Sequence, residues 1–168
     1  MKQKNSVERI AFRFSHEEAA ALLKLLDYER LPGTAVCAAL PDKATVESLT
    51  DAGVVLPCGE HILVDRVAAL IFNAAAASGR YLRVEGDAGT ALLYKSEKLC
   101  VLVEDMGSGQ LLLEPVKDIE TAMPLFRKCV ARSGRGLRYT LSLPGEGSVE
   151  STDGVEAFGE LLMRLKGS

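Results

Sequence analysis

The sequence contains no tryptophan and few other aromatic residues, and its lysine and arginine residues are not clustered. Aromatic side chains form the stacking platforms of many proteins that bind single-stranded nucleic acids, so their scarcity disfavours that function. The net charge is −3, whereas a surface that binds a phosphate backbone carries excess positive charge. We therefore do not expect nucleic acid to be a partner.

Metal-binding patterns and secretion signals are also missing. Cys37, Cys58, Cys100 and Cys129 are widely separated, no CxxC pair occurs, and only two histidines could assist them. Structural zinc ligands usually come in pairs roughly two to four residues apart, so we expect neither a metal nor another cofactor. The polar N-terminus predicts no signal peptide, which favours reduced thiols and a cytoplasmic protein. No stretch approaches the roughly 18 to 20 apolar residues that a membrane span requires, so we expect no membrane insertion.

The first half of the chain alternates strand and helix patterns. Alternating apolar and polar residues at 7–14 predict a strand, and a capping box formed by Ser15 and Glu18 starts the helix that follows. A short helix is expected at 34–40 and another one after Asp42, which can serve as its N-cap. Two β-branched runs around a glycine-containing turn then predict a hairpin. The helix that follows the hairpin should bury one face, formed by Val67, Leu70, Ile71 and Ala74.

From residue 80 the apolar pattern changes to a period of two. Four strand-like segments between residues 80 and 116 are joined by short polar or glycine-rich connections, which predicts an antiparallel meander. A helix is expected at 118–132, an alternating strand at 137–143 and an amphipathic helix near the C-terminus. The glycine-rich segment 144–154 is expected to be a mobile loop.

These elements predict an α+β fold with a meander sheet of about five to six antiparallel strands and helices packed on one side. The order helix, link, helix, hairpin in residues 34–65 adds a small winged-helix-like portion near the N-terminus. We expect a single domain over residues 1–168, with a subdivision into a helical and hairpin part (1–79) and a sheet-and-helix part (80–168).

Two histidine-containing stretches are candidates for chemistry. Cys58 and His61 occur at the hairpin turn, where they are either a fragment of a reactive site or residues of an exposed turn. A catalytic cysteine needs a base that lowers its pKa, and hairpin residues can project onto different faces, so we interpret these two as turn residues. His16 begins a helix beside Glu17 and Glu18, which are acids of the first helical turn. A small enzyme that uses Cys58 or His16 remains an alternative.

The winged-helix-like order raises nucleic-acid binding as a second alternative. A recognition helix would have to approach phosphates, but the helix in this position carries Asp42, Glu47 and Asp51 against a single Lys43. Its negative charge predicts repulsion from DNA, so a regulator of this type is the less favoured hypothesis.

Three features of residues 7 to about 130 occur in a distinctive order: the N-terminal strand that leads into SHEEAAALLKLL, LPG at 31–33, and VESLTDAGVV followed by GEHILVDRVAALI. In this pattern the chain resembles the EspG family of type VII (ESX) secretion-associated chaperones. The meander and the helix after it follow in the same order. Members of that family are well over half again as long and have two similar halves, so this chain corresponds to about one half.

The resemblance implies a non-enzymatic cytoplasmic protein that binds a secreted protein client and keeps it soluble. It also implies that two copies could form a homodimer that restores the missing half, which an unpaired sheet edge would favour physically. Loops on a rigid scaffold commonly carry recognition, and methionine adapts to varied partners. We therefore predict protein binding by two exposed turns, one made of Cys58, Gly59, Glu60 and His61, the other of Met106, Gly107, Ser108, Gly109 and Gln110.

Overall fold

The computed structural model of the chain describes residues 10–151 and 154–168. Its helices are α1 (His16–Leu25), α2 (Lys43–Asp51), α3 (Arg66–Ala77), α4 (Ile119–Arg132) and α5 (Gly154–Gly167). Its strands are β1 (Phe12–Ser15), β2 (Val55–Cys58), β3 (His61–Val64), β4 (Tyr81–Glu85), β5 (Thr90–Lys95), β6 (Cys100–Asp105), β7 (Gln110–Val116), β8 (Arg138–Leu143) and β9 (Gly147–Ser151). None of the helices in this described part of the chain combines the length and the apolar character needed to span a bilayer.

Seven of the strands form one antiparallel sheet in the order β1-β7-β6-β5-β4-β8-β9, and β2 and β3 form a separate hairpin. Strands β4 to β7 are the predicted meander, so the α+β class and the antiparallel meander are confirmed. The sheet exceeds the five to six strands expected, because residues 147–151, predicted as part of a loop, form the edge strand β9. Gly145 and Gly147 adopt positive φ (79° and 71°), which lets the chain reverse tightly into this strand.

Helices cover both faces of the sheet, whereas the sequence predicted helices on one side only. The central strands β5 and β6 are buried along most of their length, so alternate side chains enter two different cores. Tyr94 and Val103 belong to a first core with α1 and α3, while Leu93 and Leu102 belong to a second core with α4 and α5. The expectation of one helical layer was wrong because strands that are apolar at consecutive positions require cover on each face.

Helix α3 buries Ile71 and Ala74 as predicted, but its buried face is rotated relative to the predicted one. Val67 and Leu70, which were expected to be buried, are exposed. The helix instead turns Phe72 into the first core, where its ring centroid lies 5.7 Å from that of Phe14. Burying a large aromatic side chain removes more apolar surface from water than burying an aliphatic one, so the orientation of the helix follows Phe72.

The short helix expected at residues 34–40 is absent. This segment folds back in an irregular turn, in which the Leu31 N–H donates to the Val36 carbonyl at 3.0 Å. Gly33 has φ +78°, and a Cβ at this position would lie 2.8 Å from the Leu92 side chain, so the turn runs directly over the sheet. Without this helix, the predicted winged-helix order is lost.

The local signals at the helix starts are confirmed. The Glu18 N–H donates to Ser15 Oγ at 3.0 Å, and the Ser15 N–H donates to the Glu18 carboxylate at 2.9 Å, which completes the capping box. Asp42 accepts the Thr45 N–H, as predicted for the N-cap of α2. The aspartates before α3 and α4 accept first-turn N–H groups in the same way. The strand predicted at 7–14 is observed from Phe12 onward, and residues 7–9 lie outside the described residues.

Because the two cores share one sheet, we expect each of them to be necessary for the same unfolding transition. Phe72→Ala in the first core and Phe126→Ala in the second should each lower the free energy of unfolding by about 3–5 kcal/mol, since both rings are fully buried. Lys128→Ala, on the exposed side of α4, should change it by less than about 0.5 kcal/mol. Chemical denaturation followed by circular dichroism measures all three, and two separate transitions in either core variant would contradict the shared sheet.

Candidate functional site

The tip of the β2–β3 hairpin is the first of the two predicted turns. Gly59 and Glu60 connect the strands, and only Gly59 has a positive φ (61°), which is the pattern of a type II′ turn. Cys58 and His61 flank this turn as direct cross-strand partners. All four residues are exposed, so the interpretation of this stretch as an exposed turn agrees with its position.

The two faces of the hairpin have different surroundings. Val55 is buried, and Ile62 and Val64 pack against the first core. On the opposite face, the cross-strand partners Leu56 and Leu63 are 62% and 53% exposed. Side chains alternate along each strand, so this outward surface, here called the hairpin face, consists of Leu56, Cys58, His61 and Leu63.

Cys58 and His61 project from the same face of the hairpin, so the expectation that they could project onto different faces was wrong. The register pairs the two residues directly across the hairpin. Within the described chain, however, neither side chain has a hydrogen bond or an ion pair. A catalytic cysteine needs a base in contact with it and a further group that orients the base, so the pair is not an assembled catalytic site.

The second predicted turn, from Met106 to Gln110, joins β6 to β7 and is exposed throughout. The Gly107 N–H donates to Asp105 Oδ1 at 3.0 Å, and the His16 N–H donates to the Gly109 carbonyl at 3.1 Å. The turn is therefore held at its start by the end of β6 and near its end by the start of α1.

His16 has a carboxylate partner that sequence reasoning missed. Its Nε2 lies 3.1 Å from Asp105 Oδ2, and both side chains are partly buried. The acids considered from the sequence were the adjacent Glu17 and Glu18, whereas Asp105 is 89 positions away along the chain. The carboxylate of Asp105 orients the imidazole ring of His16. No nucleophilic side chain among the described residues is hydrogen-bonded to this ring, so we assign the contact a structural role, which is to anchor the β6–β7 turn.

A groove of about 530 Å³ lies beside this turn on the side of the sheet that α4 covers. Within it, Arg132 Nε and a terminal guanidinium nitrogen donate to the two carboxylate oxygens of Glu104 at 3.0 and 2.6 Å. The Glu104 side chain is only 10% exposed, and the paired guanidinium compensates its buried charge. The groove brings three of the predicted residues, Met106, Ser108 and Gln110, together with Arg13, Glu104, Leu111, Leu112 and Arg132.

The two predicted turns do not form a single site. The hairpin packs on the first core, while the Glu104–Arg132 groove lies on the side of α4 and the second core. The residues that sequence reasoning missed are Glu104, Asp105, Leu56 and Leu63. A signal existed for the leucines, because side chains alternate along a strand and Leu56 and Leu63 therefore point away from the face that carries the buried Val55.

The cysteines divide into two exposed and two buried thiols. Cys37 and Cys58 are exposed. Burial raises the pKa of Cys100 to about 11, and burial together with the nearby Glu104 carboxylate raises the pKa of Cys129 to about 12. Both buried thiols therefore stay protonated and unreactive at neutral pH. Across residues 10–151 and 154–168, no group of three His, Cys, Asp or Glu side chains is placed to hold a metal ion.

Comparisons with protein-family models and with curated proteins find no match to this chain. The resemblance to the EspG family therefore stays a prediction.

The thiol environments predict a two-step reaction with a chromogenic disulfide reagent at about pH 8. Cys37 and Cys58 should react quickly, whereas Cys100 and Cys129 should react only after denaturant is added, because their raised pKa values and burial suppress the thiolate. Absorbance of the released chromophore counts the thiols in each phase. Cys58→Ser should leave one fast thiol, and a fast reaction of all four thiols in the native protein would contradict the assigned burial.

Proposed function

We propose that this protein is a non-enzymatic cytoplasmic adaptor or chaperone that binds a protein client through the hairpin face. The observation that carries the proposal is the exposed pair Leu56 and Leu63, on a hairpin whose opposite face packs in the core. The resemblance to EspG-type secretion-associated chaperones supports a client that is later secreted. An apolar surface of this kind is typical of protein contact rather than of chemistry.

The leucine pair can contribute substantially to an interface. Fully burying a leucine side chain contributes about 1.5–3 kcal/mol, and Leu56 and Leu63 are each somewhat more than half exposed. Covering both would therefore contribute about 1.5–3 kcal/mol, of the size measured for individual important residues in protein interfaces. A client segment with an apolar recess wide enough for two adjacent leucines fits this surface.

The hairpin face is already ordered before a client binds. The type II′ turn favours one strand register, and Val55 anchors the strand in the core. Where the hairpin meets α3, the Asp65 N–H donates to the Val54 carbonyl at 2.8 Å. An ordered surface loses little conformational entropy on association, so more of the apolar contact energy is retained as affinity.

The Met106–Gln110 turn serves as a second contact surface in this proposal. Its side chains are exposed, and Asp105 and His16 restrain its backbone. Met106 supplies a flexible apolar group beside the polar groove, which suits recognition of a client with varied side chains.

A small enzyme that uses Cys58 or His16 is the alternative, and the strand register does place Cys58 on one face with His61. Alanine at Cys58 and His61 should leave client binding nearly intact, since the leucines provide most of the apolar contact, whereas an enzyme would lose its rate by orders of magnitude. A nucleic-acid-binding regulator would instead bind DNA with an affinity that falls steeply as salt is added. The loss of the winged-helix order removes the feature that suggested this second alternative.

We expect Leu56→Ser/Leu63→Ser to release the client. The tagged double variant and the tagged parent protein are used as baits in native lysate, and bound proteins are identified by mass spectrometry. Because two serines remove the apolar contact, the client's recovery should fall at least tenfold, which corresponds to about 1.4 kcal/mol. Co-expression of the recovered protein with each bait then measures whether its soluble fraction depends on the hairpin face.

The matched control is Leu40→Ser/Met163→Ser, which removes two other exposed apolar side chains and leaves the hairpin unchanged. This variant should recover the client as the parent protein does. Equal recovery by all three baits would contradict the proposed surface, and a client whose solubility is independent of co-expression would contradict chaperone activity. Light scattering on the same samples tests the implied homodimer against the chain mass of 18.0 kDa.

A further inference from the structure

We propose that a groove between α3 and the β5–β6 turn is a binding site for a small molecule that carries one carboxylate or phosphate group on an apolar body. The groove has a volume of about 360 Å³, at the lower end of the range for small-molecule sites. Leu70, Ala74 and Ala77 form its apolar wall, and Arg80 and Lys98 bring positive charge to it. This proposal does not depend on the client-binding function.

Arg80 is the central residue of this groove, because its guanidinium has no acceptor among the described residues. Its Nε is buried and has no hydrogen-bond partner in this part of the chain. The backbone of Arg80 is fixed, since its N–H donates to Ser78 Oγ at 3.3 Å and its carbonyl accepts from the Lys95 N–H at 3.0 Å. Because Nε itself is enclosed by the protein, the terminal guanidinium nitrogens of this half-buried side chain are the donors that an acceptor in the groove could reach.

Neighbouring basic side chains near the C-terminus already have partners. Arg164 donates to Glu146 at 3.0 Å, and Lys95 Nζ donates to carbonyls at the end of α5. In the described part of the chain, by contrast, neither Arg80 nor Lys98 forms an ion pair. Among the described residues that line the groove, Glu97 is the one acid, so their net charge is one positive.

The chemistry of the lining selects the ligand class. A guanidinium presents a planar set of donors that matches the oxygens of a carboxylate or phosphate, and Lys98 adds a further cation. Asn73 Oδ1 already accepts from the Tyr28 hydroxyl at 2.8 Å, which leaves the Asn73 amide nitrogen as a donor. Leu70 is exposed beside these groups and would be covered by an apolar chain or ring of the ligand.

The test uses isotope-labelled protein of residues 1–168 and four probes in nuclear magnetic resonance titrations. Hexanoate and hexyl phosphate carry both features, inorganic phosphate carries only the charge, and hexanol carries only the apolar chain. We expect the two amphipathic anions to shift the amide resonances of Asn73, Ala77, Ser96 and Lys98, with affinities at least tenfold above those of the two incomplete probes. Comparison of hexanoate with hexyl phosphate shows which anionic group the site prefers.

Arg80→Met should weaken binding of the preferred probe at least tenfold, because it keeps the apolar stem and removes the guanidinium. Its melting temperature should not fall, since the change removes a buried donor that has no partner among the described residues. Arg135→Met removes the same charge from an exposed turn outside the groove and should leave binding unchanged.

Three results would overturn the proposal. The first is that millimolar hexanoate and hexyl phosphate cause no shifts at the groove. The second is evidence that charge alone attracts the probe. Such evidence would be that inorganic phosphate binds as tightly as hexyl phosphate, or that Arg135→Met weakens binding as much as Arg80→Met. The third is a clear fall in the melting temperature of Arg80→Met, which would give the guanidinium a structural role within the chain.

Discussion

Burial of β5 and β6 on both faces is the constraint on which the rest of the structure depends. At consecutive positions such as Leu92, Leu93 and Tyr94, side chains that point in opposite directions are all fully buried. A single layer of helices could cover only one of the two apolar surfaces, so the chain places α1 and α3 on one face and α4 and α5 on the other. The meander thus becomes the middle layer of a three-layer protein.

A sheet covered on both faces leaves polar chemistry at its rim. The carboxylates of Glu104 and Asp105 sit at the end of β6, where Arg132 and His16 reach them from helices on opposite faces. Arg80 likewise lies at the end of a strand, in the link between α3 and the start of β4. Because hydrogen-bonding groups are costly to bury without partners, the strand ends are where this fold can hold charged side chains.

The β2–β3 hairpin is the exception to this layered arrangement. It is not joined to the main sheet, so the core covers only one of its faces and nothing in the described chain covers the outward one. Its exposed leucines and the Arg80 groove differ in chemistry, since the first is an apolar protrusion and the second a small positively charged recess. The proposed protein contact and the proposed anion site therefore use separate surfaces of different chemistry.

Features that depend on a few consecutive residues were determined by the sequence alone: the Ser15–Glu18 capping box, the aspartate caps, the hairpin, the meander and the strand at 137–143. They follow from hydrogen bonds and side-chain alternation within one segment. Only the tertiary structure decided the turn at 34–40, the buried face of α3, β9 and the Asp105 partner of His16. In each of these cases, contacts between segments distant in sequence outweigh local preference. The free energies of burial and of strand pairing depend on which other segments pack against the residues, and a local sequence pattern does not contain that information.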